Sequence, residues 1–216
     1  MFQNRTEAGR KLASKLSSYC GWPDVLVLAL PRGGVPVGAE IARALHVPLD
    51  VFVVRKLGVP WNPELAMGAV ATGGVRVLDE DIVQSLAIPP EEIAKVAAGE
   101  EIELERRERA YRGGRVRHTI AGKKVILVDD GIATGSTMRA GVAALRKLQP
   151  ARVVVAAPVA SHASCTMLRR VADEVVCVIE AEDFFAIGEW YEDFTQLTDD
   201  DVQNLLENTS GVISAA

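Results

Sequence analysis

Apolar residues in this chain gather into short unbroken runs. VLVLAL (25–30), LDVFVV (49–54), KKVILVD (123–129), RVVVAAP (152–158) and EVVCVIE (174–180) are each of strand length. Side chains of a strand alternate between two faces, so a run that is apolar throughout is covered on both, as in a parallel sheet. Between these runs the period lengthens. Residues 4–18, 35–45, 135–148 and about 162–171 place apolar positions at helical spacing. Strands alternating with helices predict an α/β fold, with a mostly parallel central sheet of about five strands flanked by helices.

Residues from about 57 to 118 break that rhythm and read as an insertion over the sheet. MGAVATGGVRVLDE predicts a hairpin turning at Thr72-Gly73-Gly74. A charged helix follows over 89–112, with Glu103/Arg107, Glu105/Arg109 and Glu108/Arg112 spaced i,i+4. Its arginines allow two readings. The helix is a solvated face, or one of Arg106, Arg109, Arg112 and Arg115 faces an anionic ligand, in this chain or across a subunit boundary. A tail from about 181 to 216 follows the last run, and residues 1–216 read as one domain.

Charge and cysteine usage narrow the function classes. A net charge of −5 argues against broad affinity for nucleic acid. No apolar stretch approaches the ~20 residues that span a bilayer, and the charged first 16 residues offer no signal-peptide core. Cys20, Cys165 and Cys177 are odd in number and lack metal-ligand spacing, so they read as reduced, buried thiols of a cytoplasmic protein. His46, His118 and His162 stand apart from every motif and are expected to be structural.

The chemistry concentrates in VILVDDGIATGSTM (125–138). A strand runs into two carboxylates, then a glycine turn, then a helix start. The first amides of a helix have no intrahelical acceptor and sit at the positive end of its dipole, so they suit a phosphate. Thr134, Ser136 and Thr137 add hydroxyls. This is neither a Walker loop, which ends in Gly-Lys-[Ser/Thr], nor a GxGxxG fingerprint. Asp129 and Asp130 would repel a pyrophosphate held there, but they suit ribose hydroxyls beside a 5-phosphate. Each charge-assisted hydrogen bond of that kind contributes about 1.5–3 kcal/mol. As strand-end acids they are expected to face the ligand rather than the core. A second strand, in ALPRGGVPVG (29–38), ends in Arg-Gly-Gly before another helix. The third cluster, DFFAIGEWYEDF (183–194), is aromatic in a chain that is only 5% aromatic.

VILVDDGIATGSTM resembles the phosphoribosyl-pyrophosphate motif of type I phosphoribosyltransferases, and is close to its adenine phosphoribosyltransferase version. The likeness extends over residues 24–57 and 123–180, and the whole chain is similar to a bacterial group of predicted phosphoribosyltransferases whose acceptor is not established. The resemblance implies that Ile132, Ala133, Thr134, Gly135, Ser136 and Thr137 hold the 5-phosphate. Arg32, Gly33, Gly34, Arg55 and Lys56 would hold the pyrophosphate, with a cis peptide common at the Arg-Gly-Gly position. Asp129, Asp130, Arg32 and Lys56 would be the catalytic set. The tail from about 181 to 216 would form a hood, where Phe184, Phe185, Trp190 or Tyr191 would stack on a flat acceptor.

The implied reaction transfers the 5-phosphoribosyl group from phosphoribosyl pyrophosphate to a nitrogenous base, releasing pyrophosphate. Mg²⁺ would be bound mainly through the substrate, with no metal site of the protein's own. The implied partners are this substrate and a small acceptor base, and a homo-oligomer is compatible with them. Hypoxanthine-type members carry an acid four residues after the first acid of the pair. Here that residue is Ala133, so the usual base is missing from the loop and Glu64 is a candidate substitute. The alternative is a non-catalytic sensor of the same ligand or of a nucleotide. Retention of both Arg32 and Arg55-Lys56 favours the enzyme.

Overall fold

A computed structural model of the protein describes residues 1–213. The chain runs α1 (Arg5–Lys15), β1 (Val25–Ala29), α2 (Gly34–Leu45), β2 (Leu49–Val51), β3 (Val54–Val59), β4 (Asn62–Ala71) and β5 (Val75–Leu78). It continues through α3 (Glu80–Ser85), α4 (Pro90–Arg112), β6 (Lys124–Val128), α5 (Ser136–Lys147), β7 (Arg152–Ser161), α6 (His162–Leu168), β8 (Glu174–Ala181) and α7 (Asp199–Ile213). Five strands form a parallel sheet in the order β2-β1-β6-β7-β8, and β3-β4-β5 form a separate antiparallel sheet.

The runs that became β1, β6 and β7 are buried on both faces, whereas β8 at the sheet edge is only half-buried along most of its length. Along β1 and β6, Val25, Val27, Ile126 and Val128 pack with α1, α2, α4 and α7, while Leu26, Leu28, Val125 and Leu127 pack with α5 and α6. Each such side chain contributes roughly 1.5–3 kcal/mol when buried, and a one-residue slip would exchange the two sets, so register is strongly specified.

Two departures matter for function. The run 49–54 is not one strand: the parallel sheet ends at Val51 and the second sheet begins at Val54. The tail expected as a hood contains a helix, α7, that packs on α2 and α4. The hairpin at Thr72-Gly73-Gly74 does form, with Gly73 and Gly74 at φ 97° and 69°.

Candidate functional site

Strands β1 and β6 are neighbours, so the loops that follow them leave the same sheet edge side by side, where parallel α/β sheets bind ligands. Contact between the loops is close enough to forbid side chains. A Cβ on Gly33 would lie 2.0 Å from Asp130 Oδ2, and one on Gly34 would lie 2.6 Å from the Val128 carbonyl. The Pro31–Arg32 peptide is cis. Gly34 donates its amide to Leu30 O at 3.0 Å, so its part is close packing rather than an N–H for a ligand.

The loop after β6 is rigid at its base and open at its tip. Ile132 donates its amide to Val159 O and accepts from the Ser161 amide, both at 2.9 Å. It therefore anchors the loop, and its N–H is not offered to a phosphate as the resemblance implied. Ser161 and Ser164 donate their hydroxyls to Ala133 O at 2.7 and 2.6 Å. Beyond that anchor, Thr134, Ser136 and Thr137 lie toward solvent, and Gly135 takes φ 73° as the residue before α5. The amides of Thr134, Gly135 and Thr137 have no acceptor among the described residues. The hydroxyls of Thr134 and Ser136 face each other at 3.1 Å. Unpaired amides and clustered hydroxyls at a helix start make an anion cradle.

The two acids differ. Asp130 is only 6% exposed and is held by Arg5, whose Nε donates to Oδ2 at 2.7 Å. The expectation that both acids face the ligand fails for Asp130, because one of its oxygens is committed to a cation 125 residues away in sequence. Burial pushes the Asp130 carboxyl up, with Arg5 opposing. Asp129, half-buried, accepts the Asp130 amide on Oδ1 at 2.9 Å. Burial and the charge of Asp130 hold its carboxyl well above the usual range. A carboxylate raised this way gains from any positive charge brought beside it.

Arg5 is the residue sequence reasoning missed. Besides Asp130, it donates to Thr195 O at 2.9 Å, and its guanidinium lies 3.9 Å from the Phe194 ring centroid. Tyr191 belongs to the same support. It is 5% exposed and packs against Phe2 and Phe194, and its hydroxyl donates to Asp130 O at 2.5 Å. It therefore supports the acidic pair and is not free to stack on an acceptor. Phe184 and Trp190 stack on each other at 6.1 Å, and Phe185 is exposed. Ile187 covers the loop, where a Cβ on Gly131 would meet it at 2.5 Å.

Several other predicted residues also sit differently from the expectation. Arg55 and Lys56 belong to β3 of the antiparallel sheet, not to the end of a parallel strand. Arg55 pairs with Glu100 at 2.6 Å, and Lys56 faces exposed Glu64 at 3.5 Å. Arg112 is buried between Asp50 and Glu108, each at 3.0 Å, so it ties α4 to β2 and faces no ligand. Arg109 donates to the Glu105 carbonyl rather than its carboxylate. Arg32 donates to Leu197 O at 2.5 Å. His162 pairs with Glu180 at 2.7 Å and His46 caps α2, so both stand apart from these loops, as expected. Cys165 and Cys177 lie 3.7 Å apart, the first buried, whereas Cys20 is exposed, contrary to its expected burial.

Among the described residues no cluster of three or more His, Cys, Asp and Glu side chains could hold a metal ion, and no helix is long and apolar enough to cross a membrane. A Mg²⁺ carried by a phosphorylated substrate needs fewer protein ligands, since it commonly keeps several waters and one or two carboxylates. Asp129 fits that need, with its raised carboxyl beside the cradle.

This arrangement has close relatives. Two Mycobacterium tuberculosis proteins, from strains CDC 1551 and H37Rv and provisionally named phosphoribosyl transferases, are each 43% identical over 222 residues. The match takes in 100% of this chain and 50% of each relative, so the chain spans about half their length. The crystal structure of TT1426 from Thermus thermophilus superposes with a TM-score of 0.86 at 41% identity, covering 96% of this chain and 98% of that one. The family described as the phosphoribosyl transferase domain matches residues 2–193. With the cradle, the acidic pair and the Arg-Gly-Gly turn assembled on one sheet edge, this chain belongs to the phosphoribosyl transferase domain family.

Proposed function

We propose that the protein transfers the 5-phosphoribosyl group of phosphoribosyl pyrophosphate to a nitrogenous base or related acceptor, releasing pyrophosphate. The observation that carries this reading is the contact of Gly33 and Gly34 with Asp130 and Val128. It brings a phosphate cradle and an arginine-bearing turn to either side of one acidic pair. Ribose 5-phosphate fits between the cradle and Asp129, leaving the diphosphate toward Arg32. The sheet, the insertion and the C-terminal segment serve this site as one domain.

Attack by an acceptor nitrogen at C1 breaks the bond from C1 to the diphosphate oxygen, and the electron pair leaves with pyrophosphate. Positive charge develops on the ring in between. Asp129 faces that charge from a half-buried position, where an opposite charge is worth more than in water. Arg32 offers a planar donor fork to the leaving group. Thr134, Ser136 and Thr137 fix the 5-phosphate, so the ring is oriented from its far end. Asp129 would hold Mg²⁺ together with the substrate's oxygens, and the ion's chemistry there is to neutralise the diphosphate as it leaves. The acceptor would enter beside Ile187, Phe184 and Trp190.

Following pyrophosphate release from labelled phosphoribosyl pyrophosphate and Mg²⁺ across a panel of purine and pyrimidine bases tests the reading. Release with at least one base, lost in Asp129→Asn, is the expected result. Tight binding of the substrate with no release across the panel would replace the transferase by the sensor, which the absence of an acid at Ala133 makes the second reading.

A further inference from the structure

We propose that Asp199 is a built-in competitor for the diphosphate, seated between Arg32 and Arg106, and that the start of α7 must give way when that ligand binds. The inference rests on the phosphoribosyl pyrophosphate reading above and adds to it a binding residue, Arg106, and an internal regulator.

The carboxylate of Asp199 divides its two oxygens between two guanidiniums from distant parts of the chain. Oδ1 lies 4.0 Å from Arg32 Nε, and Oδ2 lies 3.9 Å from Arg106 Nη1. Arg32 belongs to the turn after β1 and Arg106 to α4 in the insertion. Their convergence answers which arginine of the charged helix faces an anion. Glu103 holds Arg106 in place, accepting from Nε at 2.7 Å and Nη2 at 3.0 Å, and leaves Nη1 directed at Asp199. Together with Arg107, Tyr111, Thr198 and Asp200 these groups line a polar cavity of about 370 Å³.

Asp199 is not needed to start its own helix. Thr198 and Asp201 cap α7 reciprocally. Asp201 Oδ2 accepts the Thr198 amide at 2.8 Å and the Thr198 hydroxyl at 2.7 Å, and the Asp201 amide donates back to Thr198 Oγ1 at 3.1 Å. That is a capping box with Asp in the place of Glu. The next residue in from the cap is free to serve the arginines.

The contact is built to be weak. Both separations exceed hydrogen-bond range, and the side chains of Arg32, Arg106 and Asp199 are 39%, 55% and 38% exposed. Pairs of this kind hold poorly against solvent. A diphosphate brings more charge than one carboxylate and can accept two parallel hydrogen bonds from each guanidinium. It therefore wins the exchange, and its apparent affinity is lowered by the fraction of molecules in which Asp199 is seated. The same displacement removes a partner from α7 and bears on Leu197, whose carbonyl accepts from Arg32.

Calorimetric titration of the full chain with ribose 5-phosphate, pyrophosphate with Mg²⁺, and phosphoribosyl pyrophosphate with Mg²⁺ separates the possibilities. Asp199→Asn, with Asp199→Ser as a second variant, should tighten both diphosphate ligands about threefold to tenfold. Ribose 5-phosphate affinity should stay unchanged. Adding Arg106→Gln to Asp199→Asn should weaken the diphosphate ligands at least about threefold, again sparing ribose 5-phosphate. If wild type binds ribose 5-phosphate and phosphoribosyl pyrophosphate but Asp199→Asn leaves pyrophosphate unchanged or weaker, the competitor role is wrong and the phosphoribosyl reading stands. If neither sugar phosphate binds wild type, that reading fails first and the competitor role falls with it.

Discussion

The two ends of the candidate site are prepared in opposite ways. At the loop after β6 the backbone is anchored by Ile132, Ser161 and Ser164, while the amides of Thr134, Gly135 and Thr137 have no acceptor among the described residues. At the Arg-Gly-Gly turn the charged groups are already taken by the chain itself. Arg32 donates to Leu197 O and sits 4.0 Å from Asp199, and Gly33 beside it presses on Asp130, which Arg5 holds from the other side. The first end can bind an anion with little rearrangement. The second must exchange internal partners for ligand. Preorganisation at one end and exchange at the other suit a substrate whose phosphate stays throughout and whose diphosphate leaves.

The sharpest way to break this contrast is to separate the two loops. Gly33→Ala would push a methyl into Asp130 Oδ2, where a Cβ falls 2.0 Å away. Because backbone and a held carboxylate cannot yield that distance cheaply, phosphoribosyl pyrophosphate affinity should fall by roughly a hundredfold or more, about 2.7 kcal/mol. Ribose 5-phosphate should lose less, since its phosphate uses the other loop. Equal losses for both ligands in calorimetry would show that the loops do not divide the substrate as described.

Next in size is the internal partner of Asp130. Arg5→Gln leaves Asp130, 6% exposed and already pushed up by burial, without the cation that opposes that push. Removing one member of such a pair costs more than the pair is worth, so unfolding free energy should drop by roughly 1–3 kcal/mol in urea titration. A change under about 0.5 kcal/mol would mean that Asp130 does not depend on Arg5 for its place in the fold.

The smallest effect has an informative sign. Asp129 is held above its unfolded value by burial and the adjacent charge, so its ionisation disfavours the fold. For such a carboxyl the native state binds more protons than the unfolded one between the two pKa values, and stability falls as pH rises through that window. Asp129→Asn should therefore be more stable than wild type at neutral pH without ligand, with the gap shrinking at acid pH. Its phosphoribosyl pyrophosphate binding should be weaker. Thermal melts at several pH values that show the variant less stable throughout would contradict this.

Much of this molecule was legible in the chain for a physical reason. Doubly buried parallel strands must be apolar on both faces, so β1, β6 and β7 stood out as runs, with half-buried β8 beside them. The candidate anion cradle was legible because it is local, with a strand end, a glycine and a helix start close together in sequence. What stayed hidden is long-range or lacks punctuation. The change of sheet between Val51 and Val54 passes through Phe52 and Val53, both buried, so no polar residue marks it. Arg5 and Asp130 meet across the whole fold. The available hint was an arginine at the first position of a helix, where the dipole disfavours a cation unless an acid answers it. The start of α7 did carry a signal, Thr198 followed three residues later by Asp201, which marks a helix N-terminus.

Crystallising the protein with ribose 5-phosphate tests the division of the site most directly. The phosphate should lie against the Thr134–Thr137 amides, with contacts from the Thr134, Ser136 or Thr137 hydroxyls and the ribose toward Asp129, while Asp199 keeps its place between Arg32 and Arg106. A phosphate seated on Arg32 and Arg106, with the loop after β6 empty, would contradict it.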